Sequence, residues 1–278
     1  MSMAIGRAAV RAGAGSGARA RAPSAGAARF DALDGLRGLA AFLVMTRHTR
    51  PFWGFGLFRT YLAVDLFFVL SGFVIANAYD ARLASGEMDP GAFVAARLAR
   101  LYPMFALSLV VATGWRLSTT GFAASGAAYG TFRLFLTAAA SAVFVPFPMH
   151  VDPTLAPKLY DPFSLFYLNG PYWSLCFELL VNVAYAQWHG RLGERTLRTA
   201  VAVSFAVAVA CCFAVGKMDF GFFWNLTGAA GLARAAAGFL AGVWLFRHRD
   251  DPGPASVRAP WPVPFAAATA MMCLPSAG

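Results

Sequence analysis

Apolar residues in this chain fall into long runs, set apart by short stretches rich in arginine, glycine and proline. The runs cover approximately 33–51, 61–80, 101–117, 131–149, 171–189, 197–216, 226–246 and 260–276. Each approaches the roughly 20 residues that a transmembrane helix needs, and no strand-like alternation competes with that reading. The stretches 199–216 and 259–278 carry no charged residue at all. The pattern predicts an all-α fold, a polytopic transmembrane bundle of about eight apolar segments. Composition agrees: 59% of residues are hydrophobic and 13% charged, about half the charge of an ordinary soluble domain.

Residues 1–29 break the pattern. They are Ala, Gly and Ser with Arg7, Arg11, Arg19, Arg21 and Arg29 and no acidic residue, which reads as a disordered cytoplasmic tail ahead of a membrane domain at 30–278. Its positive charge is expected to hold the N-terminus on the cytoplasmic side. The tail accounts for half of the net charge of +10. On charge alone the remainder fits nucleic acid, anionic lipid, the positive-inside rule or an anionic substrate. Lys158 and Lys217 are the only lysines among 23 basic residues, so the chain is suited to forked recognition of carboxylate or phosphate.

Charge also constrains topology. If all eight segments cross, the loops holding Arg191, Arg195 and Arg198 and holding Arg247, Arg249 and Arg258 fall outside, against the positive-inside rule. An odd number of crossings between Arg100 and the loop 148–170 returns both to the cytoplasm. The chain ends inside an apolar run, at Cys273-Leu274-Pro275, as expected of a domain cut short. Cys176, Cys211, Cys212 and Cys273 lie in apolar stretches without metal-ligand spacing, so they read as small buried hydrophobes and no metal site is expected.

Several polar residues sit where burial is costly. Arg37, Arg47, His48 and Arg50 interrupt the first segment; an arginine at the centre of a membrane helix costs about 2.5–3.5 kcal/mol unless it faces protein or water. Arg37 and His48 are eleven residues apart, hence on one helix face and about 16 Å apart along the axis. This spacing predicts Arg37 near the membrane surface and His48 near mid-bilayer, with histidine a natural general base for a hydroxyl. In the second segment Asp65 and Gly72 share a face; the aspartate needs a partner, for which His48 or a first-segment arginine is expected, and the glycine permits close backbone approach.

Asp89-Pro90 marks a helix start. The short helix expected there places Arg97 and Arg100 three residues apart, just before Tyr102-Pro103, as a topogenic pair or as a forked phosphate clamp. In the fifth segment Glu178, Asn182, Tyr185 and His189 form a polar stripe, either a packing seam or a lined cavity. Trp173-Ser174 before it are expected at the membrane interface. Gly238-x-x-x-Gly242 reads as helix packing. Arg234 needs an anion, with Glu178, Asp65 and a substrate all open.

Taken in order, Leu33-Asp34-Gly35-Leu36-Arg37-Gly38-Leu39-Ala40, His48, Val64-Asp65-Leu66-Phe67-Phe68-Val69-Leu70-Ser71-Gly72-Phe73, Arg97-x-x-Arg100-Leu101-Tyr102-Pro103 and Trp173-Ser174-Leu175-x-x-Glu178 resemble the acyltransferase-3 family of bacterial membrane acyltransferases. The motifs cover residues 31 to about 190. The resemblance implies a ten-helix domain in the bacterial inner membrane, longer than this chain. It implies transfer of an acyl group, acetyl above all, from cytoplasmic acyl-CoA to a hydroxyl of a surface carbohydrate or lipid-linked glycan. It further implies that His48 is the essential histidine, Arg37 the arginine one helix face earlier and Arg97 and Arg100 the paired arginines. The chemistry of these residue types fits. Arg97 and Arg100 would hold the nucleotide end of acyl-CoA, His48 would act as base, and Asp65 or Glu178 would orient it. Arg37 and Ser71 are the candidate oxyanion donors. With an anionic cosubstrate to explain the arginines, nucleic acid drops out as a partner.

Two other classes stand beside this one. A transporter or flippase would use the buried Arg, His, Asp and Glu as a substrate path, although no inverted repeat is visible. A lipid-binding scaffold would explain the basic tail but not the buried charges.

Overall fold

The computed structural model describes residues 31–49, 59–120, 127–147, 165–216, 221 and 226–250, with residues 266 and 270. The N-terminal tail and the apolar run 260–276 thus lie outside the described residues, the latter but for those two positions. Among the described residues the fold is all-α: α1 (Asp31–His48), α2 (Leu62–Ala84), α3 (Pro90–Thr120), α4 (Ala127–Ala142), α5 (Tyr172–Trp188), a 3-10 turn (His189–Arg191), α6 (Glu194–Val215) and α7 (Leu226–Arg247). Four of them hold spans long and apolar enough to cross a membrane: Leu62–Ala84, Pro90–Ser118, Glu194–Val215 and Thr227–Arg247. Seven described helices match seven of the eight apolar runs.

The helix at Asp89-Pro90 begins as its sequence predicts. Asp89 Oδ1 accepts hydrogen bonds from the amides of Gly91 and Ala92 at 2.8 and 3.0 Å, a side-chain N-cap. It does not end before the membrane segment, as the dipeptide Tyr102-Pro103 suggests. α3 continues through Pro103 for 31 residues, about 46 Å. An interior proline removes one backbone hydrogen bond, and a membrane bundle tolerates that where neighbouring helices and local adjustment satisfy the freed carbonyl.

α2 and α7 form the tightest pair, and glycine sets their approach. A Cβ on Gly72 would overlap the carbonyl of Phe239, and one on Gly242 would overlap the carbonyl of Val69. Gly238 faces the Phe68 side chain. Both the Gly238-x-x-x-Gly242 motif and the predicted close approach at Gly72 therefore serve one backbone-to-backbone seam.

The pairs along this seam fix direction. Asp65 near the start of α2 meets Arg234 near the start of α7, and Asp80 near the end of α2 meets Arg247 at the end of α7. The two helices are parallel. α5 runs the same way, with Trp173 at its start against Phe68 and His189 just past its end against Asp80. α3 is antiparallel to α5, Phe93 meeting Tyr185 and Phe105 meeting Tyr172. α6 is antiparallel to α7, since Glu194 at its start accepts from Trp244 Nε1 at 3.2 Å. α4 returns along the second half of α3, and just past its end Phe144 stacks on Phe105 at 4.1 Å between centroids.

One end of the bundle therefore holds the α2–α3 turn, the start of α3, residues 189–194 and the end of α7. Arg191, Arg195, Arg247 and Arg249 share the side of the turn that leads to Arg97 and Arg100. This is the arrangement the positive-inside rule requires of an odd count between Arg100 and the loop 148–170. α6 turns most of its surface away from the bundle, with Phe213 84% exposed, as suits a helix facing lipid.

Candidate active site

Three polar groupings, buried or partly buried, lie within this frame. The first joins α2, α3 and α5. Glu178 Oε1 accepts from Ser71 Oγ at 2.5 Å and from Arg97 Nη2 at 3.2 Å. Arg97 is only 6% exposed, and its Nε has no partner among the described residues. Arg37 from α1 and Arg100 from α3 lie close enough to act electrostatically on the Arg97 guanidinium. Arg97 alone bonds Glu178, and the charges of Arg37 and Arg100 act on the Arg97 guanidinium from further off. α1 delivers Arg37 by packing Ala40 and Leu43 against Ala63, Leu66 and Phe67 at the start of α2. Arg37, one turn before Ala40, is thereby carried toward the middle of α2.

The second grouping is the forked pair of Arg234 and Asp65, with Nε to Oδ1 at 3.1 Å and Nη2 to Oδ2 at 2.8 Å. The guanidinium also lies 5.9 Å from the Trp173 ring centroid. Asp65 is thus taken up by Arg234, not by a first-segment residue as expected from sequence proximity, because α7 rather than α1 faces this side of α2. Trp173, at the start of α5, is 8% exposed. Contacts with Phe68 and Phe177 draw it into the core.

The third grouping closes the arginine-rich end of the bundle. Asp80 Oδ1 meets Tyr185 Oη at 2.5 Å, His189 Nε2 at 2.7 Å and Arg247 Nη2 at 2.8 Å. Oδ2 accepts from Arg247 Nε at 3.0 Å, and Arg247 Nη1 donates to the carbonyl of Leu192 at 2.6 Å. The α5 stripe is therefore a seam: Glu178 faces α2 and α3, while Tyr185 and His189 share Asp80. Between them Asn182 is fully buried, and neither of its amide atoms has a partner among the described residues.

His48 stands apart from these groupings. It is the last residue of α1 and is exposed. The order along α1 reverses the expected one, with Arg37 level with the middle of α2 and His48 at the helix end, because α1 packs through its second half against the beginning of α2. The structure brings Arg37, Arg97, Arg100 and Glu178 together, adds Ser71, and leaves Asp65 in a separate pair. Sequence reasoning missed Asp80 and Arg247. The polar stripe through Tyr185 and His189 was the signal that a carboxylate had to face them.

Apolar helices joined by partly buried arginine–carboxylate pairs, with arginines gathered at one end, fit a polytopic membrane protein. A family model described as an acyltransferase domain matches residues 30–277, and the chain belongs to that acyltransferase-3 family. It is also similar to "Protein 2 in picA locus" of Rhizobium radiobacter, 37% identical over 185 residues, which is 64% of this chain and 92% of that protein. No solved structure matches the chain. The protein is an acyltransferase of the membrane, and its helices supply the scaffold on which that chemistry is mounted.

Proposed function

We propose that this acyltransferase moves an acyl group, acetyl above all, from cytoplasmic acyl-CoA to a hydroxyl of a cell-surface carbohydrate or lipid-linked glycan, in the inner membrane with its N-terminus cytoplasmic. The gathering of Arg37 and Arg100 within electrostatic reach of Arg97, itself bonded to Glu178, supports this reading. Acyl-CoA bears a pyrophosphate and a 3′-phosphate, and forked arginine donors suit such oxygens. Glu178, itself bonded by Ser71, fixes Arg97 through one Nη2 bond.

The thin pantetheine arm would run from this cluster along α1 toward His48, about 16 Å further along the axis. There the acceptor hydroxyl oxygen forms the new C–O bond, the thioester C–S bond breaks, and His48 passes the hydroxyl proton to the departing sulfur. General-base catalysis of this kind contributes about 10²–10⁴-fold. Donor and acceptor thereby sit at different depths of the bundle, His48 being nearer the end where α2 begins, which suits a cytoplasmic donor and a surface acceptor.

Membranes holding the protein are incubated with radiolabelled acetyl-CoA, and label is followed into glycan. Wild type transfers label, and His48→Ala, present in the membrane at the same level, does not. Undiminished transfer by His48→Ala would overturn the role of that residue. Movement of unacylated glycan across vesicles lacking acyl-CoA would favour a flippase instead.

A further inference from the structure

A groove of about 420 Å³ opens between α5, α6 and α7, among residues that include Leu180, Trp188, Leu192, Ala200, Leu232 and Leu240. It is separate from the arginine cluster around Glu178. From Leu180 to Trp188 on α5, and from Leu232 to Leu240 on α7, it extends for about 12 Å along the helices. α5 and α7 are parallel, so both walls run from the bundle interior to the end that carries Arg247. The deep part is walled by aliphatic side chains, and the outer part by the exposed Trp188 and by Leu192. An apolar channel with a tryptophan at its mouth has the profile of a membrane interface, where aromatic rings sit at headgroup level.

The mouth is basic. Arg191 and Arg195 are exposed on either side of Leu192. Glu194 between them is engaged by Trp244 Nε1 at 3.2 Å, by His248 Nε2 at 3.5 Å and, more loosely, by Arg198 at 3.9 Å. Glu194 is therefore directed toward α7 and toward the next turn of α6, and Asp80, behind Tyr185, is taken up by Arg247. We propose that this groove is a binding site for an anionic phospholipid, one acyl chain lying between α5, α6 and α7 and the phosphate held by Arg191 and Arg195. The chain packs against the ring of Tyr185, whose hydroxyl bonds Asp80. Occupancy therefore supports the wall that the Asp80 network holds in place.

The full chain, purified in mild detergent, is titrated with phosphatidylglycerol or phosphatidylcholine of matched acyl chains, and bound lipid is counted by native mass spectrometry. Wild type retains phosphatidylglycerol preferentially, by roughly fivefold for each arginine that reaches the phosphate. Arg191→Gln with Arg195→Gln removes the preference while leaving the chain-binding groove, whereas Arg198→Gln keeps it. Ala184→Phe, which fills the groove, lowers retention of both lipids. Equal retention of the two lipids by wild type, or a preference that survives the double substitution, overturns the assignment. So does full retention by Ala184→Phe. The surface substitutions do not disturb the helices, so the outcome does not depend on whether Ala184→Phe folds.

Discussion

Arg247 closes on Asp80 with both arms of its fork, Nε to Oδ2 at 3.0 Å and Nη2 to Oδ1 at 2.8 Å, across 167 residues of sequence. With Asp65 and Arg234 it makes the second of two such pairs, one at each end of the seam between α2 and α7. The glycines between them let the backbones touch, and the ion pairs fix the register.

Removing one partner leaves a charge that protein no longer compensates, at about 3–5 kcal/mol for a buried pair. Asp80→Asn and Arg247→Met are each expected to lower the thermal midpoint of the detergent-solubilised protein sharply. The double substitution Asp80→Leu with Arg247→Met is expected to recover part of the loss, the remainder being the bonds that Tyr185, His189 and the Leu192 carbonyl give up. Strictly additive losses would show that the two side chains act independently.

The glycines give a contrast of sign. A methyl group at Gly72 meets the Phe239 carbonyl, whereas one at Gly38 meets nothing within 4 Å. Gly72→Ala is expected to destabilise or abolish folding. Gly38→Ala is expected to leave stability unchanged or raise it by up to about 1 kcal/mol through helix propensity. Detergent thermal melts of the two variants decide this.

Around Glu178 the expected order of losses follows the chemistry of each partner. Ser71→Ala removes one hydrogen bond to a charged group, worth about 1.5–3 kcal/mol. Glu178→Ala strands the buried Arg97 and costs more, about 3–5 kcal/mol. Arg97→Lys keeps the charge but loses the fork, so it is expected to raise KM for acyl-CoA more than it lowers kcat. An unchanged KM in that variant would remove Arg97 from the donor site.

Because α2, α5 and α7 are parallel, residues 86 and 193 lie at one end of the bundle and residue 170 at the other. Enzyme-reporter fusions made after residues 86, 170 and 193 are expected to report the same side for the first and third and the opposite side for the second. Any other pattern would contradict the parallel arrangement of these helices.

Most helix positions were legible in the sequence because membrane burial writes itself in long apolar runs. The Asp89 cap was equally legible, being local. Gly72 and Gly238-x-x-x-Gly242 announced a seam without announcing that they belong to the same one. Partner choice was the illegible part: Asp65 looked to α1, its sequence neighbour, and found Arg234. Arg247 looked like a loop charge and is the anchor of Asp80. Those outcomes depend on which helices become adjacent, a property of the whole bundle. Pro103 misled for a different reason, since a rule learned from water-exposed helices weakens where surrounding helices take over the freed carbonyl. Of the site residues, Glu178 was expected to orient His48 and instead bonds Ser71 and Arg97, a pairing that depends on how α2, α3 and α5 meet.

The two aspartates of α2 also impose an order on biosynthesis. Their arginines follow 169 and 167 residues later, an interval on the order of 10–30 s at about 5–20 residues per second. Through that interval an acidic helix has left the ribosome without its counter-ions. α2 is apolar enough to enter lipid alone, so its two carboxylates stay uncompensated by their final partners until α7 arrives beside it.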